Sequence, residues 1–194
     1  MSNLTTATVT RTVAGNEVPN AGTYGLDASH SEVGFSVRHL MVSKVKGRFS
    51  DVSGTITIAE DPLASSVEVT IGTASIDTRD EQRDAHLRSP DFFDVEQYPS
   101  MTYRSTKVSP AGKGRWLVEG DLSLHGVTRN VPLEVSFEGA ASDPWGGLRA
   151  GFSARAELDR EDFGLGWNQV LETGGVVVGK KVNIEIEAEA VYQG

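Results

Sequence analysis

From Val182 to Ala190 the chain alternates without interruption, with Val182, Ile184, Ile186, Ala188 and Ala190 on one parity and Asn183, Glu185, Glu187 and Glu189 on the other. Successive side chains of a β-strand point to opposite faces, so the pattern specifies a strand with one apolar and one charged face. Such a strand cannot stand alone, because its apolar face needs a covering surface. The pattern recurs at Leu148, Ala150, Phe152, Ala154, Ala156 and Leu158, at Val131, Leu133, Val135 and Phe137, and at Trp116, Val118, Leu122 and Leu124. Shorter versions run through Val33, Phe35 and Val37, through Ile56 and Ile58, and through Val67, Val69 and Ile71. Roughly eight strands, each apolar on one side only, must close as two packed sheets or as a barrel.

Several inward positions are small: Ala150, Ala154, Ala156, Ala188 and Ala190. In a filled eight-stranded core such positions are more often large. Either bulky neighbours pack against these alanines or the alanines border an apolar cavity, and the pattern leaves both open. Phe137 reads as ordinary core. Asp61-Pro62, Pro110-Ala111-Gly112, His125-Gly126 and the 143–147 stretch are turn or loop signals, and His39-Leu40-Met41-Val42 breaks its strand as a bulge or turn.

The pattern changes between Ile76 and Thr106. Thr78 followed by Glu81 forms a capping-box signature, which predicts a helix from Arg79. Ser89-Pro90-Asp91 predicts a second helix, with a hydroxyl cap, proline at the first position and an acid in the first turn. Tyr98-Pro99 returns the chain to extended backbone. With Phe92-Phe93 as its apolar insert, this segment is expected to cap an opening. Its dense charge, Asp77 to Arg88, reads mainly as a solvated helix face.

The 194 residues fit one domain, with a flexible N-terminal arm expected over 1–22 and a barrel over 23–194. Eighteen basic against 27 acidic residues leave a net charge of -9, which argues against nucleic acid and against attraction to an anionic membrane. No cysteine is present, so disulfides and thiolate sites are excluded. No apolar run is long enough to span a membrane as a helix, and residues 1–20 lack a signal-peptide pattern, so a cytoplasmic location is expected. His30, His39, His86 and His125 have no metal-ligand spacing. Ser29-His30-Ser31 beside Asp27 contains the residue types of a nucleophilic triad, but neighbours along a strand point apart. Trp145 and Trp167, in glycine-containing loops, are candidate rim residues.

Several stretches together resemble the YceI-like family. They are Leu26-Asp27-Ala28-Ser29-His30-Ser31, Phe35-Ser36-Val37-Arg38-His39-Leu40-Met41, Lys46-Gly47-Arg48-Phe49 and Ser75-Ile76-Asp77-Thr78. Further matches are Arg83 to Ser89, Asp91 to Val95 with Tyr98-Pro99, Gly120 to Arg129, and Asp159-Arg160-Glu161-Asp162-Phe163-Gly164. The resemblance covers about residues 23 to 192 and leaves the arm outside.

It implies an all-β fold with short helices: an extended, eight-stranded, antiparallel lipocalin-like barrel with a helical cap, holding a polyisoprenoid chain in its tunnel. No enzyme activity, cofactor or metal is implied. Combined with the parity reading, the expected ligand-lining set is Phe35, Val37, His39, Met41, Phe49, Phe92, Trp116, Leu122, Phe152, Ala154, Trp167 and Ala188. The expected partner is a long-chain isoprenoid lipid, without stable membrane insertion, and a homodimer is left open. Two alternatives stand beside this reading. One is an enzyme acting on a lipid or small amphiphile, with His39 or His86 as acid/base. The other is a filled-core stress or interaction protein.

Overall fold

Strand pairing in the computed structural model, which describes residues 9–172 and 174–194, is organised by the C-terminal alternation. The strands are β1 (Thr10–Val13), β2 (Asn16–Pro19), β3 (Gly22–Leu26), β4 (Glu32–His39), β5 (Ser43–Phe49), β6 (Val52–Ile58) and β7 (Ser66–Gly72). They continue with β8 (Ile76–Asp77), β9 (Ser100–Pro110), β10 (Arg115–Leu124), β11 (Val127–Asn130), β12 (Leu133–Ser142), β13 (Leu148–Asp159) and β14 (Val178–Tyr192). The α-helix is α1 (Glu81–Arg88). β14 pairs with β13 on one edge, while its other edge pairs with β4 and then β3. The remaining neighbours follow chain order, so the ring closes as an eight-stranded antiparallel barrel.

Four of the eight barrel strands are bent, which is why more than eight labels are needed. β3 and β4 form one strand interrupted by a short 3₁₀ turn at Ala28–His30. There the Ser31 hydroxyl donates to the Glu189 carbonyl and accepts from its N–H, replacing ladder bonds lost at the bend. β5 and β6 bend at Ser50–Asp51, β7 and β8 bend at Thr73–Ser75, and β11 and β12 bend at Val131–Pro132. Long strands in a closed barrel must coil, and such interruptions concentrate the bending. Two bulges change parity as well. Between Glu119 and Gly120 the register with β9 shifts, leaving Thr106 as the extra residue. Between Phe137 and Gly139 the register of β12 with β13 shifts, with Glu138 extra.

The inward alanines divide into two groups. Ala150 and Ala190 are fully buried and pack with Tyr24, itself fully buried, against Ile56, Phe137 and Phe152. At that end of the barrel a bulky neighbour fills the space. Ala154, Ala156 and Ala188 instead border an internal cavity.

Three expectations need correction. Residues 1–8 of the expected arm lie outside the described residues, but β1 and β2 form a hairpin rather than a flexible segment, and Val18 is buried. The turn is made by Ala14 and Gly15, both at positive φ (51° and 80°), a backbone solution that residue type only half announces. The helix begins later than the capping box suggests, with Asp80 as N-cap accepting from the Arg83 N–H at 2.9 Å. Thr78 turns inward, where its N–H and hydroxyl donate to Asp84 Oδ1. The second helix is absent. Ser89 ends α1 as its C-cap, with its hydroxyl donating to the His86 carbonyl, and the chain beyond it proceeds in turns.

Candidate functional site

The barrel interior holds a cavity of about 320 Å³. Its wall comes from the inward parity of the long strands, so alternation alone aims the side chains there. β4 contributes Phe35 and Val37, β5 contributes Phe49, and β10 contributes Trp116 and Leu122. β13 contributes Phe152 and Ala154, and β14 contributes Ala188. Phe92, from the covering segment, completes the expected residues that line it. The other three stand elsewhere. Met41 is 63% exposed at the tip of the β4–β5 hairpin, with His39 at the base of that tip, and Trp167 packs outside the cavity wall. His39 keeps the parity of Phe35 and Val37 as the last residue of β4 but lies beyond the cavity wall, and Met41 falls in the turn that follows.

The wall also includes Met101, Tyr103, Val118, Phe137 and Leu165, which were not among the expected lining residues. The alternation of β9 would have found Met101 and Tyr103. Phe137, expected as core, does both: its ring lies 5.7 Å from that of Phe152, and both rings line the cavity while packing against the Tyr24 cluster.

Few polar groups reach the wall, and the most deeply buried of them, Tyr103 and Arg160, are already bonded. Tyr103 Oη lies 3.0 Å from the carbonyls of both Val118 and Val131, and burial pushes its phenol pKa up. Gly120 is required for this arrangement, since a Cβ there would meet the Tyr103 ring at 2.4 Å. Arg160 is buried without a carboxylate hydrogen-bond partner. Its guanidinium donates to the carbonyls of Leu165, Trp167, Val178 and Gly179, strapping the 164–177 loop to the start of β14. Burial lowers its pKa from the ordinary arginine value. Among the described residues no buried side-chain polar atom lacks a hydrogen bond. The cavity therefore offers an entering molecule carbon surface and shape, with little free hydrogen-bonding capacity.

Over one end lie α1 and the turns after it, with Leu87, Phe92 and Phe93 directed at the cavity. The T-shaped Phe49–Phe93 contact, 5.6 Å between centroids, joins this cover to the barrel wall. His86 holds Asp91 Oδ2 at 2.9 Å and presents its ring to Phe92 (5.1 Å) and Trp167 (4.7 Å). Polar bonds anchor the helix: Arg83 donates to the Thr78 hydroxyl and carbonyl, and Arg88 donates to the carbonyls of Ala74 and Ile76.

The histidines do not converge. His125 Nδ1 meets the Phe163 carbonyl at 3.1 Å, and His30 lies in a surface group with Asp27, Ser29, Arg149 and Glu189. Ser29 Oγ and Asp27 Oδ2 both approach the same nitrogen, His30 Nδ1, at 3.0 Å. A relay through the two ring nitrogens needs them on opposite sides of the imidazole. Asp27, His30 and Glu189 come close enough to share an ion, but the Arg149 guanidinium already bonds both carboxylates, at 2.8 and 2.5 Å. The group therefore secures the bend between β3 and β4. The Ser29 hydroxyl, Arg149 and His30 hold the Asp27 carboxyl well below the usual carboxylate range.

Among the described residues no helix is long and apolar enough to cross a membrane. The sequence matches the YceI-like domain over residues 24–190. A UPF0312 protein of Vibrio cholerae is 42% identical over 179 residues, covering 90% of this chain and 89% of its own. The crystal structure of a Campylobacter jejuni YceI protein superposes with a TM-score of 0.69 at 31% identity, over 87% of this chain and 97% of that one. A polyisoprenoid binding domain from Saccharophagus degradans, 18% identical, shares the fold with a TM-score of 0.67 over 88% of this chain and 98% of that one. A barrel of this order, matched along nearly its whole length by the domain and by these relatives, belongs to the YceI-like family.

Proposed function

We propose that the barrel binds a polyisoprenoid or similar long-chain lipid, and that the protein carries, stores or sequesters it rather than transforming it. The observation that carries this reading is the apolar cavity of about 320 Å³ inside a barrel with no unbonded buried polar side chain among the described residues. At about 24 cal/mol per Å³, leaving such a volume empty costs on the order of 8 kcal/mol. That is comparable to the whole stability of an ordinary domain. A sequence under no demand to hold a ligand would fill the space, as this one does around Tyr24. Each isoprene unit, with its five carbons, contributes roughly 3 to 4 kcal/mol on burial, so a few units offset the cost of association without a specific polar contact. The S. degradans neighbour, named for polyisoprenoid binding, supports the choice of lipid class. An acid/base role for His39 or His86 has less support, because neither lines the cavity.

The test is organic extraction of the purified full chain followed by mass spectrometry, and reloading of the stripped protein with defined polyprenols and isoprenoid quinones. Close to one isoprenoid per chain, with stoichiometric reloading, is expected. An empty extract combined with no uptake of any long-chain lipid would overturn the proposal, and turnover abolished by His86→Ala would favour the enzyme reading.

A further inference from the structure

The large exposed apolar side chains are unevenly distributed. Leu40, Met41 and Val42 form the tip of the β4–β5 hairpin and are 39%, 63% and 80% exposed. Val170, 83% exposed, lies in the neighbouring 164–177 loop. The two segments touch: the Leu40 N–H donates to the Val177 carbonyl at 2.9 Å, Val170 bridges to Val176, and the Met41 side chain lies beside Gly175. This gives one apolar patch on two adjoining loops. It sits at the end of the cavity, because His39 pairs with Val178 and Val178 belongs to the cavity wall.

The tip is built against local preference. Leu40 and Met41 both adopt positive φ, 51° and 62°, in the 39–42 turn, where asparagine and glycine are the relaxed choices. Strained backbone holding exposed apolar side chains points to a use outside the fold. The charge around the patch supplies the second observation. Between Val33 and Ser50 there is no acidic residue, although the protein carries a net charge of -9. Arg38, Lys44 and Lys46 are exposed and enter no ion pair among the described residues. Arg38 and Lys44 stand directly opposite each other across the hairpin, a like-charge pairing that destabilises a strand pair. The nearby Lys180 and Lys181 are already matched by Glu161 and Glu157, and the 164–177 loop adds one acid, Glu172. An anionic surface approaching the tip would relieve the Arg38–Lys44 repulsion while the apolar side chains leave water.

We infer that the β4–β5 tip with the Val170 loop is a docking surface for an anionic phospholipid bilayer. Leu40, Met41 and Val42 would enter the level of the acyl boundary, with Arg38, Lys44 and Lys46 at the phosphates. The overall negative charge does not oppose this. A 15-residue strand such as β14 runs roughly 50 Å, and acids at the far end lie several screening lengths of about 8 to 10 Å from the bilayer. Docking of this kind would bring the end of the cavity against the membrane. It stands on the surface residues alone and does not depend on what occupies the barrel.

The test is flotation of the full chain, as purified and after lipid extraction, with vesicles of phosphatidylcholine alone or mixed with phosphatidylglycerol. Binding to the mixed vesicles that weakens with salt is expected, with little binding to phosphatidylcholine. Each cation near such a surface is worth about a five-fold change in affinity, so Lys44→Ala with Lys46→Ala should lose roughly 25-fold. Met41→Ser with Val42→Ser should lose binding without lowering the melting temperature, since both positions are exposed. Lys113→Ala, in the β9–β10 turn at the opposite end of the barrel, should bind as the parent does. Binding unchanged in the tip variants, equally reduced in Lys113→Ala, or absent from the parent overturns the inference. So does a parent dimer in light scattering that the Met41/Val42 variant abolishes without any vesicle binding, because a second copy would then cover the patch. If extraction finds no isoprenoid but vesicle binding keeps this pattern, the docking surface stands and only the proposed cargo falls.

Discussion

The two halves of the barrel interior use the same small residue to opposite ends. At Ala150 and Ala190 the space opposite is taken by Tyr24, whose hydroxyl leaves the cluster by donating to the Asn20 carbonyl at 2.9 Å. At Ala154, Ala156 and Ala188 no comparable side chain arrives, and the cavity remains. Phe137 and Phe152, with Leu26, Ile56 and Ile58, belong to both groups, packing on the Tyr24 cluster and lining the cavity. Alanine on an inward parity therefore does not by itself signal a pocket. What decides is whether another strand delivers an aromatic ring to the same level. In this chain the supplier is β3, which pairs with β14 only at Ala190, Val191 and Tyr192 and gives way to β4 farther along.

The comparison breaks most directly at Tyr24. Tyr24→Ala should make the filled half resemble the hollow one and cost about 4 kcal/mol, read as a shift in the denaturation midpoint of lipid-free protein. Lipid occupancy should survive, because the cavity wall at Ala154, Ala156 and Ala188 is untouched. A loss below 1 kcal/mol would show that the cluster collapses freely and that the division of the interior is soft. The sharper test places one substitution in both halves. Ala150→Phe should overpack and lose roughly 1 to 3 kcal/mol, whereas Ala154→Phe or Ala188→Phe should enter free volume, leaving lipid-free stability unchanged or raised and lipid uptake lost. Equal destabilisation at all three positions, with uptake intact, would mean that the hollow half is filled in solution.

A smaller effect is expected at the cover over the hollow half. Asp80→Ala removes the N-cap of α1 and should cost about 1 kcal/mol locally, accelerating lipid release to acceptor vesicles in stopped flow while barely moving the melting temperature. A lowered melting temperature with unchanged release would assign α1 a purely buttressing role. The smallest effect lies outside the filled half, where Asp27 bonds Arg149 and His30. Its folded pKa is depressed, so its contribution is complete above the unfolded value of about 3.9 and is lost as pH falls through the folded value. Asp27→Asn should therefore narrow the gap between the melting temperatures at pH 7 and pH 3. A gap of unchanged width would place the acid sensitivity elsewhere, for example at Asp143, whose pKa is also lowered.

Legibility from the sequence followed the strength of the periodic signal. β13 was readable end to end and β14 from Val182 to Ala190, where nothing interrupts the alternation, and with them came Phe152, Ala154 and Ala188 of the cavity wall. In β9 the extra residue Thr106 reverses the parity between Tyr103 and Val108, so alternation counted from one end misplaces the other. The helix caps misled for a different reason. Thr78 and Ser89 have the right neighbours for N-caps, but buried Asp84 claims the Thr78 hydroxyl, and the Ser89 hydroxyl closes the last turn of α1. Tertiary partners outbid the local signal in both places. His39, Met41 and Trp167 were expected to face the cavity on the strength of motif and position, but His39 closes β4 beyond the cavity wall, Met41 sits in the turn that follows, and Trp167 lies in the 164–177 loop where no strand directs its side chain.

The closing position of β14 has a consequence for how the molecule is made. Its residues pair with β13, its neighbour in sequence, and also with Leu26 and Phe35 at the other extreme of the barrel. Until those last strand residues emerge, the remaining strands form a curled sheet with two unpaired edges and an open apolar trough. Pairings of such long sequence separation form slowly, and the exposed intermediate is the species most prone to aggregate. Loss of β14 would therefore open the barrel along both edges at once, leaving a sheet with no interior to hold anything.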